Sequence, residues 1–284
     1  MAEKPRTAAG YAPEQVARVK SKCLYLATKL GDLMPELVVV GGLVPSLLID
    51  QKNLTENVAP HVGTMDLDLG LAFALVGEQR YQEVAERMRN AKFSPDENED
   101  GKPTRQRWRI SDPPVTVDFL IEPENTEAKP GSVFSLTKDW AATIAPGLHL
   151  AFKNNQTVTL SGQTIVGETT ERDIRLCGAG AFVVLKALAF HIRGENKDAY
   201  DLFYLLRNFG RGVSDVAAQL RPLLPDASAV TALEYLRTDF KDSETIGPSR
   251  VAEFLYGRPD ANIQADAVGF VRQLLNEIVS GGGK

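Results

Sequence analysis

Cysteine is scarce in this chain: Cys23 and Cys177 are the only two in 284 residues. Two thiols so far apart argue against a disulfide scaffold or a zinc site, and point to buried thiols in a reducing compartment. Histidine is as sparse, and His61, His149 and His191 show no metal-ligand spacing. No motif supports a Ser-His-Asp triad. No apolar run approaches the roughly 18 residues that a membrane span needs. Met1 to Gly10 is polar and has no signal-peptide core, so a soluble, cytoplasmic protein without membrane contact is expected. Positive charge is also short. The net charge is −5 and the pI is near 5.4, which argues against a globally basic nucleic-acid binder but leaves room for a local basic groove. Arg87, Arg89, Lys92, Lys102, Arg105, Arg107 and Arg109 make one basic stretch, read first as a solvated helix end and hairpin. Gly178-Ala179-Gly180 lacks the Lys-Ser/Thr of a P-loop.

What the chain has is apolar content, 43% of its residues, enough for one large domain or two small ones. Val16, Val19, Cys23, Leu26 and Leu30 recur on one helical face, predicting a helix over Pro13 to Leu30. Leu37 to Val40 reads as a strand that ends in Gly41-Gly42 and passes into a helical pattern. Strands are expected over the run containing Asp66 and Asp68, at Thr104 to Ile110 and at Val115 to Ile121, the last two joined through Ser111 to Pro114. Glu78 to Ala91 reads as a helix, and Asp50 to Val62, Ser94 to Lys102 and Glu122 to Gly131 as loops. Leu148 to Phe152, Thr157 to Leu160 and Gln163 to Val166 look like short strands, with Ser161-Gly162 as a turn. From Gly178 onward the pattern turns helical: Ala179 to Ile192, Asp198 to Asn208, Val213 to Leu220, Ala227 to Phe240, Pro248 to Tyr256 and Ala261 to Val279. Ser280 to Lys284 has the composition of a flexible tail. The expectation is an α+β fold: a mixed sheet with flanking helices over residues 1–177, then a helical region over 178–280.

Candidate chemistry begins at Met65-Asp66-Leu67-Asp68-Leu69. Alternation along a strand points Asp66 and Asp68 to one face and the apolar residues to the other. Two like charges side by side on a buried sheet are costly, so they are either solvated or compensated, most simply by a divalent cation. Gly41 and Gly42 make an ordinary strand-to-helix turn or a close approach for a phosphate, with Ser46 adding a hydroxyl. Asp118, alone in Val115 to Ile121, is a solvent-facing residue, a third metal ligand or a general base. Lys186 and Arg193 are seven residues apart on one face of an apolar helix. They are cations for a triphosphate or side chains snorkelling from a core helix. Asp198 and Asp201 also share a face, where Asp198 suits the helix dipole alone.

Gly41-Gly42, then Asp66 and Asp68, then Asp118 resembles the nucleotidyltransferase superfamily with a polymerase-β-like fold. Val184 to Leu202, with Lys186, Arg193, Asp198 and Asp201, is similar to the AbiEii-type toxin branch of type IV toxin–antitoxin systems, associated with phage defence. There a helical K-x-x-A-x-x-x-R pattern is followed by K/R-D-x-x-D-L. The resemblance spans roughly residues 36 to 207. Two departures stand out. The gap from Gly42 to Asp66 is longer than usual for the family, and its Arg before the D-x-D is missing, His61 and Gly63 standing there while Thr64 matches the family's Ser/Thr.

The resemblance implies an enzyme that moves a nucleoside monophosphate from an NTP such as ATP to an acceptor. Asp66, Asp68 and Asp118 would hold Mg²⁺ or Mn²⁺, Asp118 alternatively acting as the base. Gly41, Gly42, Ser46, Thr64, Arg193 and Asp201 would bind the nucleotide, and the helical region would contribute Lys186 and Asp198 to the catalytic cleft. The acceptor would be RNA, including a tRNA end, or a protein hydroxyl, and a cognate antitoxin would be the partner. Two alternatives remain: a small-molecule nucleotidyltransferase of the antibiotic-modifying type, for which the acidic balance suits a cationic acceptor, and a non-catalytic nucleotide-binding regulator with the same fold.

Overall fold

The computed structural model describes residues 5–54, 58–72, 78–98, 100–110, 115–123 and 128–280. The turn expected at Ser111 to Pro114, parts of the loops expected at Asp50 to Val62 and at Glu122 to Gly131, and the tail beyond Ser280 lie outside them. The chain divides into two compact units. The first holds Pro13–Leu43 and Thr64–Cys177. The second holds Val44–Gly63 and the chain from Gly178 onward, with an N-terminal stretch ending at Ala12.

The first unit is built on a nine-stranded sheet. Its strands are β1 (Leu37–Val40), β2 (Asp66–Leu71), β3 (Phe93–Glu97), β4 (Pro103–Ile110), β5 (Val115–Ile121), β6 (Val133–Ser135), β7 (Ala141–Ile144), β8 (Asn155–Gln163) and β9 (Thr169–Cys177). The order is β3-β4-β5-β2-β1-β9-β8, with β7 beside the end of β5 and β6 beside β7. The sheet is mixed: β2–β5, β5–β7 and β1–β9 run parallel, the other pairs antiparallel. Helices α1 (Pro13–Leu30), α3 (Glu78–Asn90) and α4 (His149–Lys153) belong to the same unit.

Its core follows from strand alternation. Leu67, Leu69 and Leu71 of β2 are buried, as are Val117, Phe119 and Ile121 of β5. Phe119 meets Trp140 edge-on at 4.9 Å, and Tyr81 meets the same indole at 5.7 Å. These contacts anchor α3 and the segment before β7 to the sheet.

Three expectations are corrected here. Ser94 to Lys102 is not all loop, because β3 spans Phe93–Glu97 and pairs with β4. Its Pro and two acids carry no strand signal, so the partner strand makes the element. Leu148 to Phe152 is not a strand but lies largely in α4. Glu122 accepts the N–H groups of Gly147 (3.1 Å) and His149 (2.8 Å), and so caps a helix start from more than twenty residues away. β8 takes in the short strand expected at Thr157 to Leu160 and runs on through Ser161-Gly162 to Gln163, so the rest of the strand expected at Gln163 to Val166 is not strand. It turns at Ile165 to Gly167, where Gly167 has φ +82°, and returns as β9, which polar alternation concealed.

The second unit contains α2 (Val44–Leu48), α5 (Ala179–Arg193), α6 (Asn196–Asn208), α7 (Val213–Leu220), α8 (Ala227–Asp239), α9 (Ile246–Tyr256) and α10 (Ala261–Ser280). α5 is almost wholly apolar and central, packing against α6, α7 and α8. It ends at Gly194, whose φ of +64° closes the last turn with a bond to Phe190. Gly180 near its start lies so close to α7 that a Cβ would meet the Gln219 carbonyl oxygen at 2.5 Å.

Ala at an open helical position is worth about 1 kcal/mol over Gly. At Gly180 the clash is with backbone, so the sign reverses: Gly180→Ala should cost about 1–3 kcal/mol. Chemical denaturation followed by circular dichroism measures it, and a stabilised variant would contradict the packing described.

Candidate functional site

Strand register gathers the three acids singled out above on one face of the sheet. β2 and β5 run parallel with Asp68 directly opposite Asp118, and Asp66 opposite Thr116. Asp66 and Asp68 share a face by alternation, and Asp118 sits beside Asp68 on the next strand. Asp66 and Asp118 are 4% and 9% exposed and Asp68 is half-buried, so two of the three like charges are largely withdrawn from water. The compensating charge comes from β4, whose Arg107 is opposite Asp118 in the antiparallel register. Its guanidinium donates from Nε and Nη2 to the two oxygens of Asp118, both at 2.6 Å, and lies 3.9 Å from Asp66. The bonds to Asp118 and the charges of Asp66 and Asp68 hold Arg107 protonated, with its pKa raised. Thr64 Oγ1 donates to Asp66 at 3.2 Å. Sequence reading placed Arg107 in a basic stretch and missed this role; its signal was the Arg-x-Arg-x-Arg alternation of β4, which puts Arg107 on the face that Asp118 uses.

Gly41 belongs to this arrangement. It follows β1, which pairs with β2 so that Val40 is opposite Asp68. Its φ is +70°, and a Cβ there would stand 1.8 Å from Asp68 Oδ2. Gly41 is therefore required twice, for its backbone angle and for the space that the carboxylate fills. Gly42 is buried in the tight turn that Gly41 begins.

The donor set of Asp66, Asp68 and Asp118 is all oxygen, which suits a hard divalent cation such as Mg²⁺. Among the described residues, no group of three or more His, Cys, Asp or Glu side chains is arranged to hold a metal ion. The donors fit such an ion in type and share a face. Arg107 is the cation bound to Asp118 here, 3.9 Å from Asp66.

The other predicted residues meet in the second unit. Lys186 of α5 donates to Asp198 at 2.7 Å and lies 2.8 Å from Asp201 Oδ2. Arg193 grips the second oxygen of Asp198 through Nε (3.1 Å) and Nη2 (2.7 Å). Lys197, one turn before Asp201, bonds its Oδ1. The spacing of α5 and α6 explains the convergence: residues three, four and seven apart line one side of a helix. Burial works against every charge in the group, yet Lys186 is held protonated because Asp198 and Asp201 outweigh the loss of water. Asp198 and Asp201 are both held below the usual carboxylate range, burial being overcome by Lys186 together with Arg193 or Lys197.

Ser46 and Asp201 are linked by a residue the sequence gave no role: His61. Its Nδ1 lies 2.8 Å from Ser46 Oγ, and its Nε2 lies 2.9 Å from Asp201 Oδ1. The Gly63 backbone N–H donates to Nδ1 at 3.1 Å. An N–H has nothing to accept with, so Nδ1 carries the lone pair and Nε2 carries the hydrogen given to Asp201. Ser46 therefore donates to Nδ1. The ring stacks on Tyr200 (5.3 Å) and meets Tyr204 edge-on (4.9 Å). Val62 N–H donates to the Tyr200 hydroxyl, and Gln51 accepts from both His61 N–H and Tyr204. The stretch around His61 is thus pinned to α6. Expected as a phosphate-binding hydroxyl, Ser46 is 4% exposed and engaged by His61. Burial first, then the charge of Lys197, lowers the His61 pKa from 6.5 to about 4. His61 is neutral at pH 7, which suits a group with three cationic and two anionic side chains around it.

No protein family matches the chain, and no curated protein matches it.

The low pKa of His61 gives a pH dependence. Unfolded, the ring titrates near 6.5; folded, near 4. Between those values the unfolded chain takes up a proton that the folded chain refuses, so stability is lost as the pH falls through this window, by roughly 3 kcal/mol at most. Melting temperatures from pH 7 to pH 4 should show this fall, and His61→Gln should flatten it while lowering the melting temperature at pH 7. An unchanged slope would dismiss His61 as its source.

Proposed function

We propose that the chain is a metal-dependent nucleotidyltransferase of the polymerase-β-like superfamily, similar to AbiEii-type toxins. It moves a nucleoside monophosphate from an NTP to RNA, such as a tRNA end, or to a protein hydroxyl. One observation carries the reading: Asp68 and Asp118 are direct neighbours on parallel strands, with Asp66 on the same face and Gly41 packed against Asp68. The mixed sheet with flanking helices is compatible with that fold. A cytoplasmic location and a cognate antitoxin belong to the same proposal. No helix among the described residues is long and apolar enough to cross a membrane, in keeping with a reading that needs no membrane.

In this reading Asp66, Asp68 and Asp118 hold Mg²⁺ or Mn²⁺, which when bound lowers the pKa of an attacking hydroxyl and offsets charge on the triphosphate. Arg107 orients Asp118 through its two hydrogen bonds. Thr64 orients Asp66. Gly41 and Gly42 leave the backbone bare beside Asp68, where a phosphate can approach. In the helical unit, Lys186 and Arg193 hold Asp198, and Arg193, whose side chain is 54% exposed, is the cation best placed to meet an anion from solution. A second reading rests on Arg107 itself. A guanidinium already bound to Asp118 also suits a regulator that binds nucleotide without transferring it.

Incubation with labelled NTPs, Mg²⁺ and either total tRNA or protein separates the two. Wild-type transfer is expected, falling at least about 100-fold in Asp66→Asn and Asp68→Asn, the upper end of what loss of an outer-shell partner costs. Nucleotide binding without transfer to any acceptor would favour the regulator. Transfer unaffected by both substitutions would remove the site assignment. Calorimetry adds a test of Arg107: Arg107→Ala deletes the cation among the three carboxylates and should tighten Mg²⁺ binding several-fold. Weaker or unchanged binding would mean that the three do not share an ion.

A further inference from the structure

The sheet of the first unit ends in strands of different character. β3, at one end, is blunted: it carries Pro95, Asp96 and Glu97, and its register with β4 shifts between Pro95 and Glu97. β6 is only three residues long. Proline, charge, bulges and brevity are the means by which sheets keep foreign strands from pairing. β8, at the opposite end, has none of them. It is nine residues long, Asn-Gln-Thr-Val-Thr-Leu-Ser-Gly-Gln, without charge or proline, and pairs with β9 in an unbroken register from Asn155 to Gln163. Among the described residues no strand pairs with its outer side.

The sequence of β8 also reads nearly the same in both directions about Thr159. Val158 mirrors Leu160, Thr157 mirrors Ser161, and Asn155 mirrors Gln163. In an antiparallel pairing of two copies, apolar then meets apolar, hydroxyl meets hydroxyl and amide meets amide, and only Gln156, which faces Gly162, has no like partner. The alternation keeps these sets on their own faces. Thr157, Thr159 and Ser161 are exposed, while Val158 and Leu160 lie on the face that carries the buried Leu160. The neighbouring strand extends the match. Arg175 stands beside Thr157 and Glu171 beside Ser161, so in a symmetric pair Arg175 of one copy shares a row with Glu171 of the other. They are three strand spacings apart, about 14 Å, across two short hydroxyl side chains. Asp173, beside Thr159, accepts a hydrogen bond from it at 2.7 Å and stays within its own copy.

We propose that β8 is a homodimerisation edge, at which a second copy of this chain adds its own β8 antiparallel about Thr159 and continues the sheet through a two-fold axis. The inference rests on the sheet edge alone and not on the chemistry proposed above.

Sedimentation velocity on the full chain over a concentration series tests it. Wild type should approach twice the mass of the 31.0 kDa chain as concentration rises. The triple variant Thr157→Lys/Thr159→Lys/Ser161→Lys changes only exposed side chains yet sets six like charges across the axis. It should stay monomeric with an unchanged circular dichroism spectrum and melting temperature. Register is read by pulsed electron resonance with a nitroxide on Thr159→Cys or on Gln163→Cys, the native Cys23 and Cys177 being buried. Labels at 159 should lie within about 20 Å of each other, and labels at 163 about 27 Å apart, eight residues of strand rise. A wild type that stays monomeric at all concentrations overturns the proposal. So does a dimer that survives the triple substitution, or one in which the 163 labels are closer together than the 159 labels.

Discussion

Three carboxylates crowd one face of a sheet, and the first unit is arranged around that crowding. The parallel register of β2 and β5 sets Asp68 against Asp118, and the two-residue period of β2 adds Asp66 to the same face. Like charges so close and so poorly hydrated demand a cation. β4 supplies it, with Arg107 opposite Asp118 and bonded to it twice. The same crowding dictates Gly41, since the Asp68 carboxylate takes the space a side chain would need. Substitution of Arg107 removes the cation that bonds Asp118, and a side chain at Gly41 would meet the Asp68 carboxylate.

The helical unit meets the opposite demand. Lys186, Arg193 and Lys197 outnumber Asp198 and Asp201, and all but Arg193 are largely withdrawn from water. Here balance comes from shared hydrogen bonds, each aspartate receiving more than one cation, and from a neutral imidazole. His61 gives its only ring N–H to Asp201 and takes hydrogen bonds from Ser46 and Gly63. That ties α2, the stretch around His61 and α6 into one polar network inside an apolar bundle. In a network of this kind a misplaced member leaves a buried charge without a partner, which is strongly destabilising.

The helices of the second half were legible because their signals are local. Apolar periodicity and the glycines at helix ends place all six within two residues of the observed limits. β2 and β5 were legible for a similar reason, each alternating strongly about its acids. β3, β9 and α4 were not. β3 is a strand because β4 pairs with it, β9 because β8 does, and α4 is a helix because Glu122 caps it from a distant part of the chain. None of these causes is visible in a short window of sequence.

The candidate site divides in the same way. Spacing and apolar context drew attention to Asp66, Asp68, Asp118 and Lys186, because acids in apolar strands and a lysine in an apolar helix carry a cost that must be met somewhere, whereas Asp198 and Asp201 stood out through the resemblance of their segment to a known family pattern. Which group meets that cost is a question of distance, and distances between remote segments arise only on folding. Tertiary structure therefore decided that Arg107, and not some other base in its stretch, joins the three carboxylates. It also decided that His61 joins Ser46 to Asp201. Strand register and helix packing bring together side chains that the sequence keeps 11 and 140 residues apart.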